Sequence, residues 1–291
     1  MLYKLPDNEI ERFIEEDMPY GDLTTFLLGI GQQPGTITFT SREITTICCT
    51  EEAACVFARC GASVNFFLKS GTTVGADVPI LSATGYANAL HSGWKVALNL
   101  LEYASGITTL TKNIVDQAKN VNPGVSVVTT RKSFPGTKKI AIKAIMAGGA
   151  LPHRLGMSES VLVFRHHTDF LGGLDSFLQT VEALKAKVPE HKIIVEAETT
   201  EDAFKIAAAG VDVIQIDKLV PEQLLPLVQQ LRKEYPAGIT ISAAGGITAE
   251  NVAFYAKTGV DILVLSSVYF AKPADIAVSM YVVTTQKTVH F

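Results

Sequence analysis

Between Thr129 and Ser158 stand Arg131, Lys132, Lys138, Lys139, Lys143 and Arg154, with His153 and without a single aspartate or glutamate. The whole chain carries 25 basic and 29 acidic residues, a formal net charge of −4, so positive charge is concentrated in this stretch. Such a patch suits phosphate or carboxylate ligands, arginine as a bidentate fork and lysine as a point charge. A solvated helix face accounts equally well for Lys138 and Lys139. Further on, Glu198 and Asp217 offer two carboxylates. They could hold a divalent cation or bond sugar hydroxyls; acids at strand ends also cap the next helix. Gly245-Gly246-Ile247-Thr248 precedes a helical stretch. There glycine permits close backbone approach and free amides attract anions, although a tight turn is the plainer account. His166-His167 lacks a third ligand at zinc spacing.

These groups need a scaffold. After residue 120, strand-length apolar runs appear at Val125–Thr129, Ser160–Val163, Lys192–Val195, Val211–Ile216, Ile239–Ser242 and Ile262–Leu265. Amphipathic stretches of helical length separate them: Lys138–Ala147, Gly173–Lys187, Thr200–Ala209, Pro221–Tyr235 and Ala249–Thr258. Continuous Val/Ile-rich strands alternating with helices indicate an α/β fold with a covered parallel sheet. It is a complete or incomplete barrel, or an open doubly wound sheet; periodicity does not separate them. In either, reactive groups gather at the carboxyl ends of the strands. The strands here run into Thr129-Thr130-Arg131-Lys132, Phe164-Arg165-His166-His167, Glu196-Ala197-Glu198, Asp217-Lys218, Ala243-Ala244-Gly245-Gly246 and Ser266-Ser267. Anion sites beside a carboxylate pair fit a sugar phosphate bearing a diphosphate leaving group. Breaking its C1–O bond develops positive charge that carboxylates stabilise, while Mg²⁺ and cationic side chains stabilise the departing diphosphate.

The first part of the chain differs. A helix at Asp7–Glu16 precedes β-rich pieces at Gly35–Ile47, Ser63–Leu68 and Val78–Leu81, where Pro79 marks an edge or a strand start. A helical stretch, Ala87–Lys119, follows and is expected to break near Ser105-Gly106. The expected domains are an N-terminal α+β domain over 1–105, joined by the tail 276–291, and a barrel over 106–275. The net charge of −4 leaves no global positive field, so a nucleic-acid partner is not expected. Neither a signal peptide nor an apolar run of membrane length is visible, and a cytoplasmic protein is expected. Cys48, Cys49, Cys55 and Cys60 match no paired zinc pattern and read as reduced thiols. No GxGxxG or Walker loop points to a nucleotide cofactor.

In order along the chain come Gly21-Asp22-Leu23-Thr24-Thr25, Ala97-Leu98-Asn99, Ser105-Gly106-Ile107, Thr129-Thr130-Arg131-Lys132, Pro135-Gly136, Lys143, Gly148-Gly149 and His153-Arg154. Val195-Glu196-Ala197-Glu198, Asp217, Gly245-Gly246-Ile247 and Gly259-Val260-Asp261 complete the set. This series resembles the quinolinate phosphoribosyltransferase (carboxylating nicotinate-nucleotide pyrophosphorylase) family over nearly the whole chain. The resemblance implies an incomplete α/β barrel behind an α+β domain, and a homodimer or higher even oligomer. It implies phosphoribosyl diphosphate and a small acidic heterocycle as substrates. By position, Arg131, His153 and Arg154 would bind the acidic substrate, Lys132 would approach both, and Glu198 and Asp217 would hold ribose and Mg²⁺. Gly245 and Gly246, with Ala244, Ser266 and Ser267 around them, would cradle the 5-phosphate.

The departures redirect the substrate. Phe164-Arg165-His166-His167 replaces the family's Lys-Asp/Glu-Asn-His, leaving Arg165 and His167 as substitute contacts. Trp94-Lys95 replaces Glu-Arg, so Lys95 stands where an arginine reaches across the dimer. Ser242-Ala243-Ala244-Gly245-Gly246 loses a hydroxyl from the phosphate loop, and Ser266 replaces a glycine. Arginine to lysine at a bidentate carboxylate site is not conservative. These changes, with the ending Tyr269-Phe270-Ala271-Lys272-Pro273-Ala274-Asp275, resemble the ModD branch, pyrophosphorylase-like proteins associated with molybdenum transport. The expectation is phosphoribosyl transfer to an acceptor other than, or in addition to, quinolinate. A true quinolinate phosphoribosyltransferase of NAD biosynthesis is one alternative. A non-catalytic anion or sugar-phosphate receptor is the other.

Overall fold

Pro34–Ser41 alternates half-buried and buried side chains along its length, the period-two signature of a strand with one face on a core. In the computed structural model, which describes residues 3–236 and 238–283, this is strand β1. β2 (Thr45–Thr46), β3 (Ser63–Phe67), β4 (Thr73–Val74) and β5 (Pro79–Tyr86) follow. β1 and β3 pair antiparallel with β5, and β2 pairs with β4. β5 is thus an interior strand of eight residues, and Pro79 marks its start. Phe39 of β1 and Phe57 of the helix Thr50–Arg59 meet edge to face at 5.7 Å in the buried core. The helix Ala87–Val121 runs for 35 residues without the expected break. Gly106 answers to a distant neighbour instead: a β-carbon there would overlap the Lys272 carbonyl.

The second half alternates as its sequence pattern indicates. β6 (Ser126–Thr129), β7 (Leu151–Pro152), β8 (Val161–Val163), β9 (Ile193–Ala197), β10 (Val213–Asp217), β11 (Thr240–Ala244) and β12 (Ile262–Leu265) form one parallel sheet. Its order is β7-β6-β12-β11-β10-β9-β8. The terminal strands β7 and β8 do not pair among the described residues, so this is an incomplete barrel. β7 spans two residues, too short to leave a periodic signal. The stretch Gly173–Lys187, expected as one helix, divides into Leu174–Leu178 and Val181–Lys187. No helix among the described residues is long and apolar enough to cross a membrane.

The chain then returns. β13 (Ile276–Val282) pairs antiparallel with β1, giving the sheet order β13-β1-β5-β3. Residues 284–291 of the tail lie outside the described residues. The chain divides into two compact units: Met1–Leu110 with Pro135–Gly148 and Ala271–Phe291, and Thr111–Phe134 with Gly149–Phe270. The division expected at residue 105 already gave the tail to the first domain; what differs is that the boundary falls after Leu110 and the helix Lys138–Ala147 joins the first unit.

Lys143 supplies the physical reason. It is buried, and its Nζ lies 2.6 Å from Glu52 Oε2 and 3.0 Å from Glu51 Oε2. Glu52 is itself fully buried and accepts the Leu5 amide at 3.0 Å. Burial alone would lower the Lys143 pKa, but Glu52, ahead of Glu51, holds it above its usual value. This member of the cationic stretch is therefore an internal counter-ion and no part of an exposed anion patch.

Candidate functional site

Parallel strands deliver their carboxyl ends to one edge, and the sheet order fixes the sequence of groups along it. From β7 to β8 that edge reads His153-Arg154, Arg131-Lys132, Ser266-Ser267, Gly245-Gly246, Asp217-Lys218, Glu198 and Arg165. Cations stand at one end, carboxylates toward the other, and the glycine loop between them. Lys95 belongs to the first unit, where its ammonium lies 5.5 Å from the centre of the Trp94 ring.

The cationic end is anchored by hydrogen bonds from its strands. Buried Thr129 shares a 2.8 Å bond with the Tyr269 hydroxyl, which also donates to the Thr130 carbonyl at 3.0 Å. The His153 amide donates to the Thr129 carbonyl at 2.9 Å. Arg131 and Lys132 leave this fixed point exposed to solvent. Burial, then the Arg154 charge, lowers the His153 pKa from 6.5, so His153 is largely neutral at pH 7. Burial and the neighbouring Arg131 likewise push Arg154 down, while Glu159 opposes them. Two like charges side by side favour an anion between them.

At the carboxylate end, Glu196 and Glu198 sit two apart on and beyond β9, as Gln215 and Asp217 do on β10. Residues two apart share a face, and Gln215 is in register with Glu196. Gln215 Nε2 donates to Glu196 Oε2 at 2.8 Å, while its own Oε1 is buried with no partner. Burial raises the Glu196 pKa above 4.5; Asp217 and Glu198 add to this and the Gln215 bond opposes it. Arg165 Nη1 lies 3.4 Å from Glu198 Oε2, and Lys218 Nζ lies 2.8 Å from Asp217 Oδ2. A cavity of about 240 Å³ is lined by Phe164, Arg165, Glu196, Glu198 and Asp202 among others. His167 is engaged locally: its Nδ1 accepts the Phe164 amide at 3.0 Å and its ring stacks on Phe164.

The glycine loop requires its glycines. Gly245 has φ +87° and Gly246 φ +70°. A β-carbon at Gly245 would lie 2.6 Å from Lys218 Cγ and 2.8 Å from Asp217 Oδ1. Lys218 itself has φ +58°, a conformation that costs an L-residue about 1–2 kcal/mol. Its amide donates to the Ala244 carbonyl at 2.8 Å, binding the tips of β10 and β11 together. The helix expected from Ala249 starts at Val252, because Asn251 closes the loop by accepting the Thr248 amide and donating to the Gly246 carbonyl. The free amides here therefore belong to a loop and not to a helix terminus. Ser267 Oγ supports that loop by donating to the Ile247 carbonyl at 3.0 Å. Ala244 packs its side chain with Val128 and Val264, so only its backbone faces the loop.

Gln215 and Tyr269 escaped the sequence analysis as site residues, and Glu196 and Lys218 entered it only as strand-end neighbours of Glu198 and Asp217, without a role. A signal existed for two: Glu196 and Gln215 stand two positions before Glu198 and Asp217 on strands.

The comparisons agree with this architecture. The profile "Quinolinate phosphoribosyl transferase, N-terminal domain" matches residues 22–105, and its C-terminal counterpart matches 107–279. A protein of Rhodobacter capsulatus, provisionally named pyrophosphorylase ModD, is 40% identical over 89% of this chain and 98% of its own length. A relative of the same name from Pasteurella multocida is 37% identical over 96% of this chain and 98% of its own. Among solved structures, the nicotinate-nucleotide pyrophosphorylase of Francisella tularensis superposes with a TM-score of 0.86. It is 21% identical and covers 96% of this chain and 98% of its own.

Proposed function

The chain belongs to the quinolinate phosphoribosyltransferase family, and we propose that it moves phosphoribose from phosphoribosyl diphosphate to a nitrogenous heterocyclic acid other than, or in addition to, quinolinate. It is an enzyme of the phosphoribosyltransferase class. The observation that carries the reading is the order of groups along the sheet edge: cations, glycine loop, carboxylates.

In this reading Arg131 and Arg154 clamp the acceptor's carboxylate, with neutral His153 as a hydrogen-bonding neighbour. Lys132 bridges acceptor and diphosphate. The Gly245-Gly246 amides hold the 5-phosphate, and Glu198 and Asp217 bond the ribose hydroxyls and stabilise positive charge at C1 as its bond to diphosphate breaks. Arg165, exposed and with its guanidinium toward Glu198 and Asp169, lines the cavity at the carboxylate end as the substitute substrate contact.

A resident magnesium ion does not fit Glu198 and Asp217 well, because each carboxylate already faces a protein cation. Magnesium enters this reading as part of the diphosphate substrate, its usual habit with phosphates.

We place the enzyme in the cytoplasm as a homodimer. Tyr20, Leu23, Phe26, Leu27 and Leu28 form a run of exposed apolar side chains in the first unit, a surface suited to a second copy. Molybdenum transport enters only as the process in which such an enzyme would work.

Calorimetric titration with phosphoribosyl diphosphate and Mg²⁺ tests the central reading. Saturable binding at micromolar concentrations is expected, and silence at millimolar ligand rejects it.

A further inference from the structure

Within the phosphoribosyl reading above, we propose that Lys218 is the built-in cation of the site. Its ammonium neutralises Asp217 and meets a phosphate of the activated sugar, so that binding this ligand needs no divalent ion at Asp217.

Lys218 is one of three described non-glycine residues with positive φ, the others being Cys49 and Asp77. Asparagine and aspartate reach that region readily through local hydrogen bonds of their short side chains, whereas lysine has no such compensation. A strained backbone persists only where its surroundings over-determine it, and such residues gather at functional sites. The surroundings here are specific. The Lys218 amide is tied to the Ala244 carbonyl, and Lys218 Cγ occupies the space over Gly245 that a β-carbon would need. The strain thus carries the lysine stem across the first glycine of the phosphate loop and sets Nζ 2.8 Å from Asp217 Oδ2.

Charge gives the arrangement its purpose. Glu196, Glu198 and Asp217 gather at the ends of β9 and β10, and all three act on Lys218 or on one another. Three acids beside a phosphate loop would repel a ligand carrying a phosphate and a diphosphate. A divalent ion would ordinarily offset them, but the donors that would hold one are already engaged. The hydrogen bond to Asp217, with the charges of Asp217, Glu196 and Glu198, keeps Lys218 protonated above its ordinary range. Its ammonium retains two further donors for phosphate oxygens. An exposed lysine fixed at its backbone and bonded to Asp217 at its tip can serve Asp217 before the ligand arrives and the phosphate afterwards.

The test is titration of the full chain with phosphoribosyl diphosphate, once in EDTA and once in excess magnesium. It uses wild type, Lys218→Arg and Lys218→Asn. Wild type and Lys218→Arg should bind with affinities that differ less than about threefold between the two buffers. Lys218→Asn removes the charge and suits the left-handed backbone, so it should melt no lower than wild type. It should bind at least about tenfold more weakly in EDTA and recover in magnesium, where the freed Asp217 can take the ion. Wild-type binding confined to magnesium overturns the proposal, as does Lys218→Asn binding unchanged in EDTA. The wild-type comparison stands even if a variant fails to fold. Absence of binding in both buffers instead overturns the phosphoribosyl reading, and this inference with it.

Discussion

Glu196 and Gln215 face each other across neighbouring strands, joined by a 2.8 Å bond from the amide to the carboxyl, on the face that also carries Glu198 and Asp217. This places an acid under strain from burial and like charge in a half-buried layer behind the reactive edge.

The sign of that strain can be measured. The folded-state pKa of Glu196 is raised above 4.5, so folding favours its protonated form. Its penalty is absent below pH 4.5 and grows as pH rises through that value to the folded one. Glu196→Gln should therefore melt higher than wild type at pH 7.5 and alongside it near about pH 4. Equal melting temperatures at both pH values would remove the claim.

Lys143 offers a larger effect. Lys143→Met strands the fully buried Glu52, and breaking a buried pair costs about 3–5 kcal/mol. Chemical denaturation should show this loss. Lys143→Met combined with Glu52→Leu should regain most of it, since an apolar pair leaves no charge behind. A single variant within about 1 kcal/mol of wild type would contradict the internal counter-ion role.

Arg154→Lys probes the acceptor clamp. Replacing a bidentate guanidinium should weaken binding of nicotinate, used as a carboxylate probe, by about tenfold. Affinity for phosphoribosyl diphosphate should stay within about threefold, as measured by calorimetry. A loss shared equally by both ligands would move Arg154 to the diphosphate.

Phe26 and Leu27 lie largely exposed on the short helix Leu23–Leu27. Phe26→Asp with Leu27→Asp should convert a dimer to a monomer in light scattering without unfolding it. A wild-type monomer at micromolar concentration would leave that surface for another partner.

The alternation of strands and helices after residue 120 was legible because each apolar run is bounded by a segment of different period. The helix Lys138–Ala147 was found to the residue, yet its placement was not. Helical periodicity says that one face is buried, not which distant segment buries it. For the same reason Lys143 read as one more surface cation, since its partners Glu51 and Glu52 stand some ninety residues earlier. Gly106 was read as a break through its local propensity, whereas the chain that approaches it lies at Lys272. The order of charges along the reactive edge was invisible as well. Sequence lists the strand ends from β6 to β12, and only the pairing of β6 with β12 brings Arg131 next to the phosphate loop.

A protein built from interleaved segments resists dissection. A clone stopped at residue 105 would omit the strand Ile276–Val282 that zips along β1 and the ammonium that quiets Glu52. Neither half could be shuffled onto another scaffold by a single recombination event. Two structural units are thereby bound into one genetic inheritance.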